Sequence, residues 1–161
     1  MSSQDKYRKR IDVSVADVNV DMGEWSFVYS GQSIATVGLG PCIGAAIYDP
    51  GSHVAYLAHT YGWDISPVVE MIDSITTQVV DVRALRAWLL GGCAIAELFD
   101  RVVTKNVRTK VEQQLTRLGV AKNNIETIWI DNPDEAGSML LFAATGECMI
   151  EISDRFDATT S

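Results

Sequence analysis

The chain has 161 residues, 47% of them hydrophobic, with a formal net charge of −8 at pH 7 and a pI near 4.6. That size suits one domain with a sizeable core, and the acidity excludes a general nucleic-acid binder, which needs a basic surface to displace counterions. No apolar run reaches the roughly 18 residues of a membrane span, the N-terminus lacks a signal-peptide core, and Cys42, Cys93 and Cys148 form no CxxC pair, so the expectation is a cytoplasmic protein with free thiols and no cysteine-bound metal.

Residues 1–10 set Lys6, Arg8, Lys9 and Arg10 against Asp5, a local +3 that leaves −11 for the remainder. They read as a flexible basic leader, with a docking arm as the alternative. A single domain is expected over 11–152, followed by a polar tail over 153–161. Residues 11–20 alternate in part between apolar and polar, as a half-buried strand does. Trp25–Tyr29 and Ile34–Val37 suit two further strands. Ser66-Pro67 has the form of an N-cap followed by a first-turn proline, and Val68, Met71, Ile72, Ile75 and Val79 continue at helical spacing. Leu85–Leu90 suits either a buried strand ending at Gly91-Gly92 or a continued helix. From Asn106, an apolar stripe of Val107, Val111, Leu115 and Leu118 ends at Gly119, a helix with a glycine stop. Ile125–Ile130, Met139–Phe142 and Glu147–Ile152 read as strands, the last two joined through Ala144-Thr-Gly146. The sum is an α+β domain with mixed sheets and two principal helices. No phosphate-binding loop, dinucleotide fingerprint, HExxH helix or EF-hand loop occurs, and no cofactor is implied.

The stretch richest in chemistry is 36–59. Residues 43–48 and 54–58 are apolar runs suited to strands buried on both faces, separated by Asp49-Pro-Gly-Ser52. A loop symmetric about Pro50-Gly51 makes paired residues sum to 101, which sets Tyr48 opposite His53 and Cys42 opposite His59. Directly opposed residues share a face with Cβ atoms roughly 4.5–5.5 Å apart, so an imidazole could take the thiol's proton to give a nucleophile. The competing reading is a small core cysteine. Thr36 lies an even six positions before Cys42, which puts its hydroxyl on the same face if the strand runs straight, where it could orient His59. Gly38, Gly40 and Gly44 leave room for either a neighbouring strand or a substrate chain. Cys93, with no evident base in a local hairpin, reads as structural.

Thr36, Gly38-Leu-Gly40, Cys42, Tyr48-Asp-Pro50 and Ala58-His59, with Gly91-Gly92, Asn106 to Gly119 and Thr145-Gly146 downstream, resemble the CheD family of chemotaxis receptor deamidases over about residues 17–152. The resemblance implies a cysteine hydrolase in which Cys42 attacks a glutamine side-chain amide through a thioester, His59 is the base and Thr36 completes the site. It also implies receptor cytoplasmic helices as substrate and a CheC-like phosphatase as a further partner. A weakly active or inactive module that docks on either partner is the alternative. Two positions depart from the family pattern. Pro41 stands where serine is usual before the cysteine, and Asp131–Ser138 lacks the usual paired glycines and later arginine.

Overall fold

The computed structural model describes residues 6–94 and 101–155. Nine strands and two helices follow in the order β1 (Val18–Asn19), β2 (Trp25–Val28), β3 (Ser33–Leu39), β4 (Ile43–Asp49), β5 (Val54–His59), α1 (Ser66–Gln78), β6 (Arg86–Gly91), α2 (Arg101–Leu118), β7 (Ile125–Trp129), β8 (Glu135–Phe142) and β9 (Cys148–Asp154). They form a four-stranded sheet ordered β1-β3-β8-β9 and a five-stranded sheet ordered β2-β5-β4-β6-β7. Both sheets are mixed: β1 runs parallel to β3 and β6 parallel to β7, and the other pairings are antiparallel. The α+β class with two principal helices is the one the sequence implies.

Alternation along β4 explains the layering. Ile43, Ala45 and Ile47 pack with Val68, Met71, Ile72 and Ile75 of α1 and Val111 and Leu115 of α2. Ala46 and Tyr48 join the core between the sheets, with Leu39, Met139 and Leu141. The five-stranded sheet is therefore the middle of three layers, and every residue of β4 is buried.

Several expectations are corrected. Residues 11–20 do not form one strand. Asp12 accepts a hydrogen bond from the Ser14 amide at 3.0 Å and caps a short 3-10 turn at Val13–Val15, leaving only Val18–Asn19 extended. The β4–β5 hairpin pairs Asp49 with Val54, Tyr48 with Ala55 and Gly44 with His59, so paired residues sum to 103 and Cys42 does not stand opposite His59. The loop is four residues long, because Asp49 turns back on the Gly51 amide at 3.0 Å and the Ser52 hydroxyl at 2.5 Å, and His53 takes a left-handed φ of 55°. At the start of α1 the N-cap position falls on Ile65, which has no capping side chain, Asp64 accepts from the Ser66 amide at 2.9 Å, and Ser66 is the first helical residue. By contrast, the buried strand expected before Gly91-Gly92 is present at Arg86–Gly91, in place of the rival helix, while α2, at Arg101–Leu118, already runs ahead of Asn106.

Residues 6–11, most of them within the expected leader, contact both sheets. Lys6 and Tyr7 bond Glu126 of β7, Arg8 pairs with Glu135 and donates to the Ile152 carbonyl at 3.2 Å, and the Ile11 amide donates to Glu151 at 2.7 Å. The tail expected over 153–161 falls outside the described residues beyond 155.

Candidate active site

Thr36 and His59 come from different sheets and meet between them. In β5, Ala55 and Leu57 point into the inter-sheet core, so alternation sends His59 to the same side; in β3, Ile34 does likewise, and Thr36 follows it. The two residues are 1% and 4% exposed, and Thr36 Oγ1 lies 2.6 Å from His59 Nδ1. The same hydroxyl lies 2.6 Å from the Val20 carbonyl oxygen. A carbonyl can only accept, so the single hydroxyl proton points to Val20, and toward the imidazole Thr36 can only accept. His59 therefore carries its proton on Nδ1 and leaves Nε2 as a lone pair. Nε2 makes no hydrogen bond, and no fully buried side-chain nitrogen or oxygen among the described residues lacks a partner. Burial pulls the imidazole pKa down from 6.5 to about 4, with the charge of Asp21 opposing that shift. The ring is neutral at pH 7.

Cys42 sits in the 40–42 connection that crosses from one sheet to the other, and it is 6% exposed. Its position is set by backbone bonds on both sides. The Gly92 amide donates to the Cys42 carbonyl at 3.0 Å and the Cys93 amide to the Gly40 carbonyl at 2.8 Å. A Cβ on Gly91, whose φ is 108°, would overlap the Cys42 carbonyl oxygen, so the approach of β6 to this loop needs glycine there. The Ile43 amide donates to Thr60 Oγ1 at 2.9 Å and the Thr60 amide to the Ile43 carbonyl at 3.0 Å. Cys42 and His59 each flank this Ile43–Thr60 link. With His59 paired to Gly44, continuing the ladder back past Ile43 would set Cys42 diagonal to His59, a placement for which roughly 7–8 Å between Cα atoms is usual. No hydrogen bond joins the thiol to the imidazole, burial pushes the thiol pKa up, and the Cys42 amide makes no hydrogen bond among the described residues.

The structure thus brings Thr36 and His59 into contact and leaves Cys42 one diagonal step away. Sequence reasoning did not find the Val20 carbonyl, Thr60 or the supporting turn at 21–24. Thr60 directly follows the histidine, but nothing in a sequence shows that a carbonyl 16 residues before Thr36 takes its proton. Of Gly38, Gly40 and Gly44, the last is a packing residue, since a Cβ there would stand 2.6 Å from Leu39 Cδ1 and 2.8 Å from Met139 Sδ. Gly38 and Gly40 face open space and line a groove of about 270 Å³ with Pro41, Ser138 and Arg155. Cys93 is buried, and no cluster of three or more His, Cys, Asp or Glu side chains among the described residues could hold a metal. Among the described residues, no helix is long and apolar enough to cross a membrane.

A two-sheet α+β domain holding a threonine, a histidine and a cysteine at one junction is the class defined so far. The chain is 28% identical over 169 aligned positions to a protein of Natronomonas pharaonis named probable chemoreceptor glutamine deamidase CheD, covering 94% of this chain and 93% of that one. A protein of Clostridium novyi with the same name is 23% identical over 159 positions, covering 90% and 93%. No protein-family model matches the chain. Among solved structures, the hypothetical protein YfiH of Bacillus licheniformis aligns with a TM-score of 0.49 and 16% identity over 65% of this chain and 49% of its own. YlmD of Geobacillus stearothermophilus aligns at 0.48 and 15% over 72% and 60%.

Proposed function

We propose that this chain hydrolyses glutamine side-chain amides of proteins to glutamate, with cytoplasmic helices of chemotaxis receptors as substrate. Two CheD-named relatives that align along nearly the whole chain support the reaction class. The observation that carries the chemistry is the Val20–Thr36–His59 chain of contacts, which leaves the imidazole's outer nitrogen as a base.

The reaction assigned to these groups balances as follows. Cys42 Sγ bonds to the amide carbon while its proton passes to His59 Nε2, and the carbonyl oxygen takes the negative charge. The unbonded Cys42 amide is the loop's donor for that oxyanion, since Pro41 has no N–H to offer. His59 returns the proton to the leaving nitrogen, ammonia departs, and a water that gives a proton to His59 cleaves the thioester to glutamate and free thiol. With burial pulling the imidazole down to about 4 and pushing the thiol up, the resting pair is a neutral thiol beside a neutral imidazole. Proton transfer must therefore accompany attack rather than precede it.

The test is mass spectrometry of receptor cytoplasmic domains incubated with the protein. A gain of about 1 Da mapping to glutamine, lost in Cys42→Ala, is expected from replacing NH₂ by OH. The unpaired, neutral thiol also favours a second reading, a docking module for receptors or a CheC-like phosphatase with little turnover. Receptor binding retained by both proteins, with no mass gain in either, would select that reading.

A further inference from the structure

The turn that precedes β2 does more than connect strands, because it touches both members of the Thr36–His59 pair. Its first residue, Val20, donates its amide to the Ala35 carbonyl at 2.8 Å and accepts the Thr36 hydroxyl at 2.6 Å. Its last residues hold the histidine by both sides of its backbone. The Gly23 amide donates to the His59 carbonyl at 2.8 Å, and the His59 amide donates to the Glu24 carbonyl at 3.0 Å. The turn is closed on itself by the Glu24 amide bonding the Asp21 carbonyl at 3.0 Å. The acceptor that fixes the Thr36 proton and the clamp that fixes His59 thus belong to one five-residue unit.

Gly23 is what seats that unit. Its φ is 86°, and a Cβ there would overlap the Tyr61 hydroxyl and Cζ and stand 2.8 Å from Cε2. The Tyr61 ring stacks on Trp63 at 5.5 Å between centroids and 22° between planes, so moving it aside gives up that stacking. A side chain at position 23 meets both this ring and the strain of a φ of 86°, and a turn that shifts to relieve them moves off His59 and carries the Val20 carbonyl with it.

We propose that Gly23 is a positioning residue for the active site: by letting the turn lie under the Tyr61 ring, it keeps the Val20 carbonyl on Thr36 and so holds His59 with Nδ1 protonated. This rests on the proposed role of His59 as base. When the Val20 oxygen withdraws, the Thr36 hydroxyl regains its proton for the imidazole, Nδ1 becomes an acceptor, and the ring proton moves to Nε2. A protonated Nε2 cannot take the thiol proton. The effect falls on the chemical step and not on substrate affinity.

The test uses Gly23→Asn, because asparagine enters the left-handed region more readily than other side chains, which leaves the clash with Tyr61 as the perturbation. Imidazole nitrogen NMR reads the tautomer without any substrate, and deamidation kinetics read kcat and KM. The expected result is a shift of His59 toward the Nε2–H form, kcat lower by about tenfold or more and KM within about twofold. Adding Tyr61→Ala removes the obstacle and should restore both the tautomer and kcat. A folded Gly23→Asn protein with the original tautomer and kcat, differing only in melting temperature, overturns the proposal. So does a double variant that stays in the Nε2–H form. If Gly23→Asn alone does not fold, the double variant decides by the same criterion. A tautomer that follows Gly23 in a protein with no deamidase activity would sink the functional reading and leave the positioning role standing.

Discussion

Thr36→Val is the sharpest perturbation available, because valine keeps the shape of threonine and removes only the hydroxyl. That hydroxyl holds two buried partners at 2.6 Å each, the Val20 carbonyl and His59 Nδ1. Leaving a buried polar group unpaired costs about 1–3 kcal/mol, so the two orphaned groups together predict a loss of roughly 2–6 kcal/mol. Thr36→Ser keeps both bonds and loses one buried methyl, about 1 kcal/mol. Serine should therefore be the milder substitution, in contrast to a β-branched strand residue chosen for packing, where valine would be tolerated best. Urea denaturation midpoints at pH 7 give the ordering, and deamidation rates should follow it. A valine variant as stable as the serine variant would refute the hydrogen-bond reading of Thr36.

The imidazole makes a pH prediction whose direction follows from its lowered pKa. Unfolded His59 binds a proton below about 6.5 and folded His59 only below about 4, so stability is full above 6.5 and falls by up to about 3 kcal/mol as pH drops through that window. His59→Asn should flatten this part of the stability–pH curve, and an unchanged slope between pH 6.5 and 4 would rule the assignment out. Alkylation of Cys42 by iodoacetamide should keep rising with pH beyond the range of an ordinary exposed thiol, since burial raises the thiol pKa and no imidazolium lowers it. A reactivity plateau already established at pH 6 would instead reveal a preformed ion pair. Gly91→Ala places a Cβ on the Cys42 carbonyl and a side chain at φ 108°, for which a loss of about 1–3 kcal/mol is expected from the backbone alone. Thermal melting checks it, and an unaltered melting temperature would show that β6 can retreat from the loop at no cost.

Much of the fold was legible because its signals are local. The periodic apolar stripes of α1 and α2 and the doubly buried runs of β4 and β5 need only their own residues to be recognised. Boundaries moved where a side chain competes with the backbone, as with Asp12 over Val13–Val15 and Asp64 ahead of Ser66. The hairpin register moved for the same reason, since Asp49 closes a four-residue loop where Pro50-Gly51 alone suggests a tighter one.

That register error is instructive about the site. A shift of the pairing sum from 101 to 103 moves every partner by two residues, and because side chains alternate with period two, His59 keeps the face it was assigned. Face assignment therefore survives a mistake that destroys the predicted Cys42–His59 opposition. What no pairing rule could supply is the tautomer, which depends on where one hydroxyl proton goes, and that is settled by a carbonyl in a turn beside a different strand. The consequence reaches the chemistry. A thiol and an imidazole placed directly opposite would favour a standing ion pair, whereas a thiol that is buried and without a bond to the ring stays protonated at rest. On the proposed reaction, the same separation that keeps Cys42 unreactive at rest makes proton transfer depend on the arrival of the amide.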